Sequence, residues 1–176
     1  MINLKASGIE ALLAKFNKLA NEAQNDMQSE LNAFADDVVR DAKNLVKNNS
    51  SDEGNLLRNI NPEYGSGSVT ITANTKYAAY IEFGTRKFAA EYVSSLPTDW
   101  QAFAGTFKGP MSGGGNFKEM LLNITEWCKR KGIDEEAAYP IARKILIDGI
   151  KPRPFLYPSI NKNLPILIGN IKDIFK

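Results

Sequence analysis

Apolar residues recur in steps of three and four from Ile9 through Leu12, Leu13, Phe16, Leu19, Ala23, Met27, Leu31, Phe34, Val38 and Ala42 to Leu45, with no glycine or proline from Ile9 until Gly54. That period marks one face of an α-helix. It predicts one very long helix, or two with a break near Asn21 to Asn25. Ser7 and Glu10 have the spacing of a capping box, in which each side chain satisfies an amide donor left unpaired at a helix start. Asp36, Asp37, Arg40 and Asp41 lie off the stripe, which therefore needs a cover: a sheet of the same chain, a neighbouring subunit, or both.

The polar run 48–54 breaks the helix, and the period then changes. Residues 56–61 read as a strand, Gly65-Ser66-Gly67-Ser68 as a turn, and 69–73 as a β-branched alternating strand, which together predict an antiparallel hairpin. Residues 77–83 suit either a strand or a short helix; the helical reading, ended by Gly84 as a left-handed cap, is the one taken. From 86 to 115 the pattern loosens around Pro97, Gly105, Gly109, Pro110 and Gly113-Gly114-Gly115, which predicts a projecting, partly mobile insertion.

Helical spacing returns at Phe117 and runs through Met120, Leu121, Ile124, Trp127 and Cys128 to a stop at Gly132. Asp134 should cap a second helix, bent at Pro140 and running to Asp148, so the pair forms a helical hairpin. Leu164, Leu167, Ile168, Ile171 and Phe175 predict a last amphipathic helix. Between these, Lys151-Pro152-Arg153-Pro154-Phe155-Leu156-Tyr157-Pro158 carries three prolines, which should hold it extended along a sheet edge with Phe155 as an anchor. It is either a rigid linker or a docking strip for another subunit. The fold class is α+β: a small antiparallel sheet packed against a long N-terminal helix and a C-terminal helix, with a largely helical insertion.

Composition narrows the chemistry. At 176 residues, 43% hydrophobic and 24% charged, the chain can bury one ordinary core. Its longest apolar runs are far shorter than the roughly 20 residues that span a bilayer, and the N-terminus lacks the pattern of a secretory signal. There is no histidine, which excludes Ser-His-Asp and Cys-His catalysis and histidine metal sites. Cys128, the single cysteine, reads as a buried bystander. Net charge is +2, with 10 cations against 13 acids over residues 1–100 and 12 against 7 over 101–176.

Each candidate site has a plainer reading. Gly65-Ser66-Gly67 and Gly113-Gly114-Gly115 lack the remaining residues of a phosphate loop, so they are turns. Glu82 is the acid inside an apolar string and could serve as a general base. No second acid at a fitting distance can be named, and a carboxylate that holds backbone amides, or pairs with Arg58, Arg86 or Arg153, explains it more simply. Lys129, Arg130 and Lys131, with Arg143 and Lys144 nearby, form the best available nucleic-acid patch, but three cations also suit the carbonyl end of a helix.

Three strings remain: Gly54-Asn55-Leu56-Leu57-Arg58, Tyr77-Ala78-Ala79-Tyr80-Ile81-Glu82-Phe83-Gly84-Thr85, and Pro154-Phe155-Leu156-Tyr157-Pro158-Ser159. In this order they resemble a siphophage tail-component family that includes head-tail joining, or tail-completion, proteins of the neck. The resemblance covers 1–85 and 149–176 as a tail-completion core and leaves 86–148 as an insertion of irregular loop plus helical hairpin. It implies Tyr77, Tyr80, Glu82, Phe83, Gly84, Thr85, Pro154, Phe155 and Pro158 as structural and assembly residues. It further implies a non-enzymatic subunit without cofactor or metal that forms a sixfold ring between phage neck or connector and tail-tube proteins. DNA would at most pass through the channel, no membrane is involved, and the protein would sit in the virion after assembly in the host cytoplasm.

Overall fold

The computed structural model describes residues 9–49, 54–107 and 117–175, the side chains of 9–14 and 16 excepted. Ser7 of the expected capping box and the glycines and proline at 109–115 lie outside the described residues. Over the described residues the chain is α+β, mostly helical, with one two-stranded antiparallel sheet. It divides into two compact units, one made of 1–74 and 155–176 and the other of 75–154. By packing, therefore, the corner at 77–85 and the segment 149–154 go with the helical segment between them.

In the first unit, α1 spans Ile9–Asn49 without interruption. At 1.5 Å per residue it is about 60 Å long. Its C-terminal half supplies the core through Ala35, Val38, Val39, Ala42 and Val46, all buried and all at helical steps. A four-residue helix, α2 (Asn55–Arg58), opens at Gly54 with φ 72°, and Leu56 is buried beneath it. The expectation of a strand from residue 56 is thus corrected. Strand β1 (Ile60–Gly65) starts later, because Arg58 N–H donates to the Gly54 carbonyl (3.1 Å) and closes a helical turn first.

Strand β1 pairs with β2 (Ser68–Ala73) in the register Ile60 to Ala73, Pro62 to Ile71 and Tyr64 to Val69. The sheet lies on α1. Ile60 is fully buried, the Tyr64 hydroxyl bonds the Asp36 carboxylate, and Gly67 N–H donates to Gln28 Oε1 (2.6 Å), which ties the turn to the helix.

Helix α8 (Leu156–Ile174) packs antiparallel on α1. It begins eight residues before the expected Leu164, which corrects the extended reading of 156–158. Proline fits the first helical turn, where its missing N–H would have no partner, so Pro158 does not oppose the helix. The Ser159 hydroxyl donates to the Phe155 carbonyl (2.6 Å), and Phe155 itself is 1% exposed. Phe155 is an anchor as expected, but as the residue that caps a helix. At the helix contact, Asp41 accepts from Lys162 Nζ (2.8 Å) and Asn163 Nδ2 (2.9 Å).

The second unit contains α3 (Ala78–Phe83), α4 (Arg86–Ser94), α5 (Thr98–Gly105), α6 (Phe117–Lys131) and α7 (Ala138–Asp148). Helices α4 and α5 replace the loose insertion expected after residue 86. Neither contains a buried residue. The α6 and α7 hairpin is as expected. Gly132 turns it at φ 67°, and the Asp134 carboxylate accepts from Glu136 N–H (3.0 Å). Pro140 falls in the first turn of α7 and not at a bend within it.

Candidate functional site

The corner begins with α3, whose inward side chains Ala78, Glu82 and Phe83 are buried. Tyr77 and Tyr80 lie on the other side, 39% and 41% exposed. Gly84 N–H donates to the Tyr80 carbonyl (3.0 Å) and ends the helix. Its φ is 74°, as a glycine terminator requires, but ψ is −167°, so it is not the left-handed cap expected. This extended positive-φ region is open essentially to glycine alone.

Close approach explains why the chain takes that conformation. A Cβ on Gly84 would lie 2.8 Å from the Ile150 carbonyl oxygen and 2.9 Å from Pro152 Cδ. Across the same contact, a Cβ on Gly149 (φ 93°) would lie 2.2 Å from the Thr85 carbonyl oxygen. Each backbone segment can reach the other because neither has a side chain there.

The contact is then secured by polar groups. Thr85 N–H donates to the Ile150 carbonyl (3.0 Å), Ile150 N–H donates to Thr85 Oγ1 (2.7 Å), and Arg153 N–H donates to the Ile81 carbonyl (2.7 Å). Thr85 Oγ1 therefore does not cap α4, although Thr85 holds the N-cap position. Arg86 follows with φ 54°, the one non-glycine residue among those described with positive φ. Strain at such a position costs on the order of 1–3 kcal/mol and is held only where surrounding bonds over-determine it, as they do here.

Glu82 is 2% exposed and engaged with a partner. Of the buried side-chain polar atoms described, Thr75 Oγ1 is the one without a hydrogen bond. Phe83 leads an aromatic cluster with ring centroids 6.2 Å from Trp100, 6.1 Å from Phe103 and 6.0 Å from Phe107. A cavity of about 490 Å³ opens beside it, walled by Tyr80, Phe83, Ala89, Val93, Ala104 and Phe107 among others. Its walls are chiefly apolar, and no group of three or more acids, cysteines or histidines suited to a metal occurs among the described residues.

The structure thus joins most of the second string to the start of the proline strip. Tyr77, Tyr80, Glu82, Phe83, Gly84, Thr85 and Pro154 belong to the unit 75–154, whereas Phe155 and Pro158 belong to the other. Sequence reasoning took Gly149 only as a helix end and missed its role, because nothing local marks a close approach to a distant segment. The basic residues lie apart at the end of α6. Lys129 is ion-paired with Glu126 (3.2 Å) and Glu135 (3.6 Å), and the Glu126 hydrogen bond is the main cause of its raised pKa. Arg130 and Lys131 are also engaged. No described helix is long and apolar enough to cross a membrane.

Residues 10–84 match the profile of the HK97-gp10-like family, described as "Bacteriophage HK97-gp10, putative tail-component". The match ends at Gly84, inside the corner, and bears out the resemblance to a phage tail-component family over that span. Comparison with curated proteins and with solved structures returns no significant match.

Proposed function

From the similarity of residues 10–84 to a phage tail-component family, we propose that this chain is a non-enzymatic virion protein that joins head to tail, or completes the tail, as a ring at the neck. The observation that carries the reading is that match, reinforced by the Gly84-Thr85 corner at its end. The corner is built from backbone hydrogen bonds and close glycine contacts, as a scaffold is. Its buried acid is engaged, and no histidine is available to act as a near-neutral base.

A ring subunit needs rigid reference points, because an interface between copies closes only if the rotation per subunit is fixed. The double-glycine contact and the buried Phe155 supply such points within their respective units. Partners on this reading are other copies, neck or connector proteins and tail-tube proteins, with DNA confined to the axial channel and no cofactor required. The site of action is the virion, reached through assembly in the host cytoplasm.

Purified protein should be imaged by negative stain and measured by light scattering, alone and mixed with neck and tail-tube proteins. Rings, or decoration of one end of tail tubes, are expected. A strict monomer that binds neither partner would overturn the reading.

A further inference from the structure

The cavity beside Phe83 lies against α3, α4 and α5 of a single compact unit, and the hydrogen bonds of the corner do not use it. At about 490 Å³ it falls within the roughly 300–1,000 Å³ of pockets that bury an organic ligand. Phe83 is buried in its wall, whereas Tyr80 and Phe107 on the same wall stay 41% and 43% exposed. On the α5 side Gly105 leaves the space open, since an added Cβ there would meet nothing within 4 Å.

Arg86 is the one charged residue lining this cavity. Among the described residues its guanidinium has neither a hydrogen bond nor an ion pair. Its neighbour Lys87 differs, being held by Asp148 at 2.6 Å. The acids of α4 and α5, Glu91 and Asp99, stand outside the lining. An apolar cleft edged by one unpaired guanidinium is complementary to an apolar body that carries one carboxylate, which the planar fork can bind through two hydrogen bonds.

The remaining polar groups favour a polypeptide over a free organic acid. Small-molecule sites converge several polar groups on the ligand. Here Gln101 Nε2 already donates to the Leu96 carbonyl (2.7 Å), and Thr85 Oγ1 already accepts from Ile150 N–H (2.7 Å). Exposed Tyr, Phe and Arg around a pocket are instead the residues enriched where proteins meet. We propose that the cavity is a docking cleft for a segment of another protein, which inserts an aromatic or large aliphatic side chain against Phe83 and places an aspartate or glutamate on Arg86. This rests on the cavity and the charge at its edge, and stands independently of the phage reading.

The test titrates the full chain calorimetrically with blocked alanine-based peptides that carry one phenylalanine and one glutamate, one, three or four residues apart. At least one spacing should bind at sub-millimolar concentration. Glutamine in place of the peptide's glutamate should weaken it about tenfold. Arg86→Gln should weaken the glutamate peptide about tenfold and leave the glutamine peptide unchanged, because the pair then has no charge to couple. Gly105→Leu, which fills the cavity, should weaken both peptides. Urea midpoints read by tryptophan fluorescence should match wild type, and if Gly105→Leu falls short, Ala104→Leu takes its place. No binding at any spacing, equal affinity for the two peptides, or an Arg86→Gln protein that still tells them apart would each overturn the proposal. So would 3-phenylpropionate binding as tightly as the best peptide, which would make the cleft a site for a free acid.

Discussion

Replacing Gly84 by alanine tests whether the double-glycine contact holds the corner. At φ 74° and ψ −167° a residue with a Cβ is strained by about 1–3 kcal/mol whatever the surrounding space. The space is also taken: the new Cβ would meet the Ile150 carbonyl oxygen at 2.8 Å, Pro152 Cδ at 2.9 Å and Pro152 N at 3.0 Å. These are backbone and ring atoms that cannot swing aside, so residues 150–152 must shift. That movement stretches the reciprocal Thr85 and Ile150 hydrogen bonds, each contributing about 1 kcal/mol. Together the loss should be about 3–5 kcal/mol, a large part of the 5–15 kcal/mol typical of a domain. Urea titration followed by tryptophan fluorescence reads it directly, because both tryptophans, Trp100 and Trp127, lie in the unit 75–154. Gly169→Ala is the control. That position lies inside α8 with nothing within 4 Å of an added Cβ, so the change should stabilise its own unit by about 0.5–1 kcal/mol by circular dichroism. A Gly84→Ala midpoint within about 1 kcal/mol of wild type at an unchanged slope would refute the reasoning.

Phe155→Ala removes a side chain that is 1% exposed and should cost about 3–5 kcal/mol by urea titration followed by circular dichroism; a loss below about 1 kcal/mol would contradict its role as anchor. The pKa of Asp41 is lowered, first by the Lys162 hydrogen bond and then by that of Asn163, so its contribution is present above the unfolded carboxylate value of about 3.9 and lost as pH falls through the lower folded value. The stability gap between wild type and Asp41→Asn should therefore hold near neutral pH and shrink below about pH 4, and a gap that persists in acid would show that the ion pair is not its source. Cys128 is fully buried and should resist a thiol reagent in native buffer while reacting at once in denaturant; rapid labelling of the native protein would show that α6 opens readily.

Where one face of an element is buried, the sequence made it legible. The α1 stripe at Val38, Ala42 and the residues around them, the β1–β2 hairpin with its glycine turn, and the α6–α7 hairpin all follow from local period and turn chemistry. Helices α4 and α5 were hidden because Pro97, Gly105 and the glycines beyond them outweighed the spacing of Phe88, Ala89, Tyr92 and Val93. The early start of α8 was hidden because Pro158 reads as a breaker until its place in the first turn is known. The short turn of α2 was hidden because Leu56 and Leu57 suit a strand as well as a helix.

The sequence by itself determined the α+β class, the exclusion of histidine chemistry, and the strings that resemble a phage tail component. Tertiary structure alone decided what each string faces. Gly84 and Gly149 are 65 positions apart, and neither carries a local sign that one lacks a side chain to admit the other's backbone. Periodicity likewise predicted an apolar face on the last helix, yet only packing showed that Leu167 is buried beside Ser159 and Asn163 while Leu164, Ile168 and Phe175 stay exposed. A repeat along one chain reports that a face exists; which surface covers it depends on contacts between distant segments, and the period does not encode them.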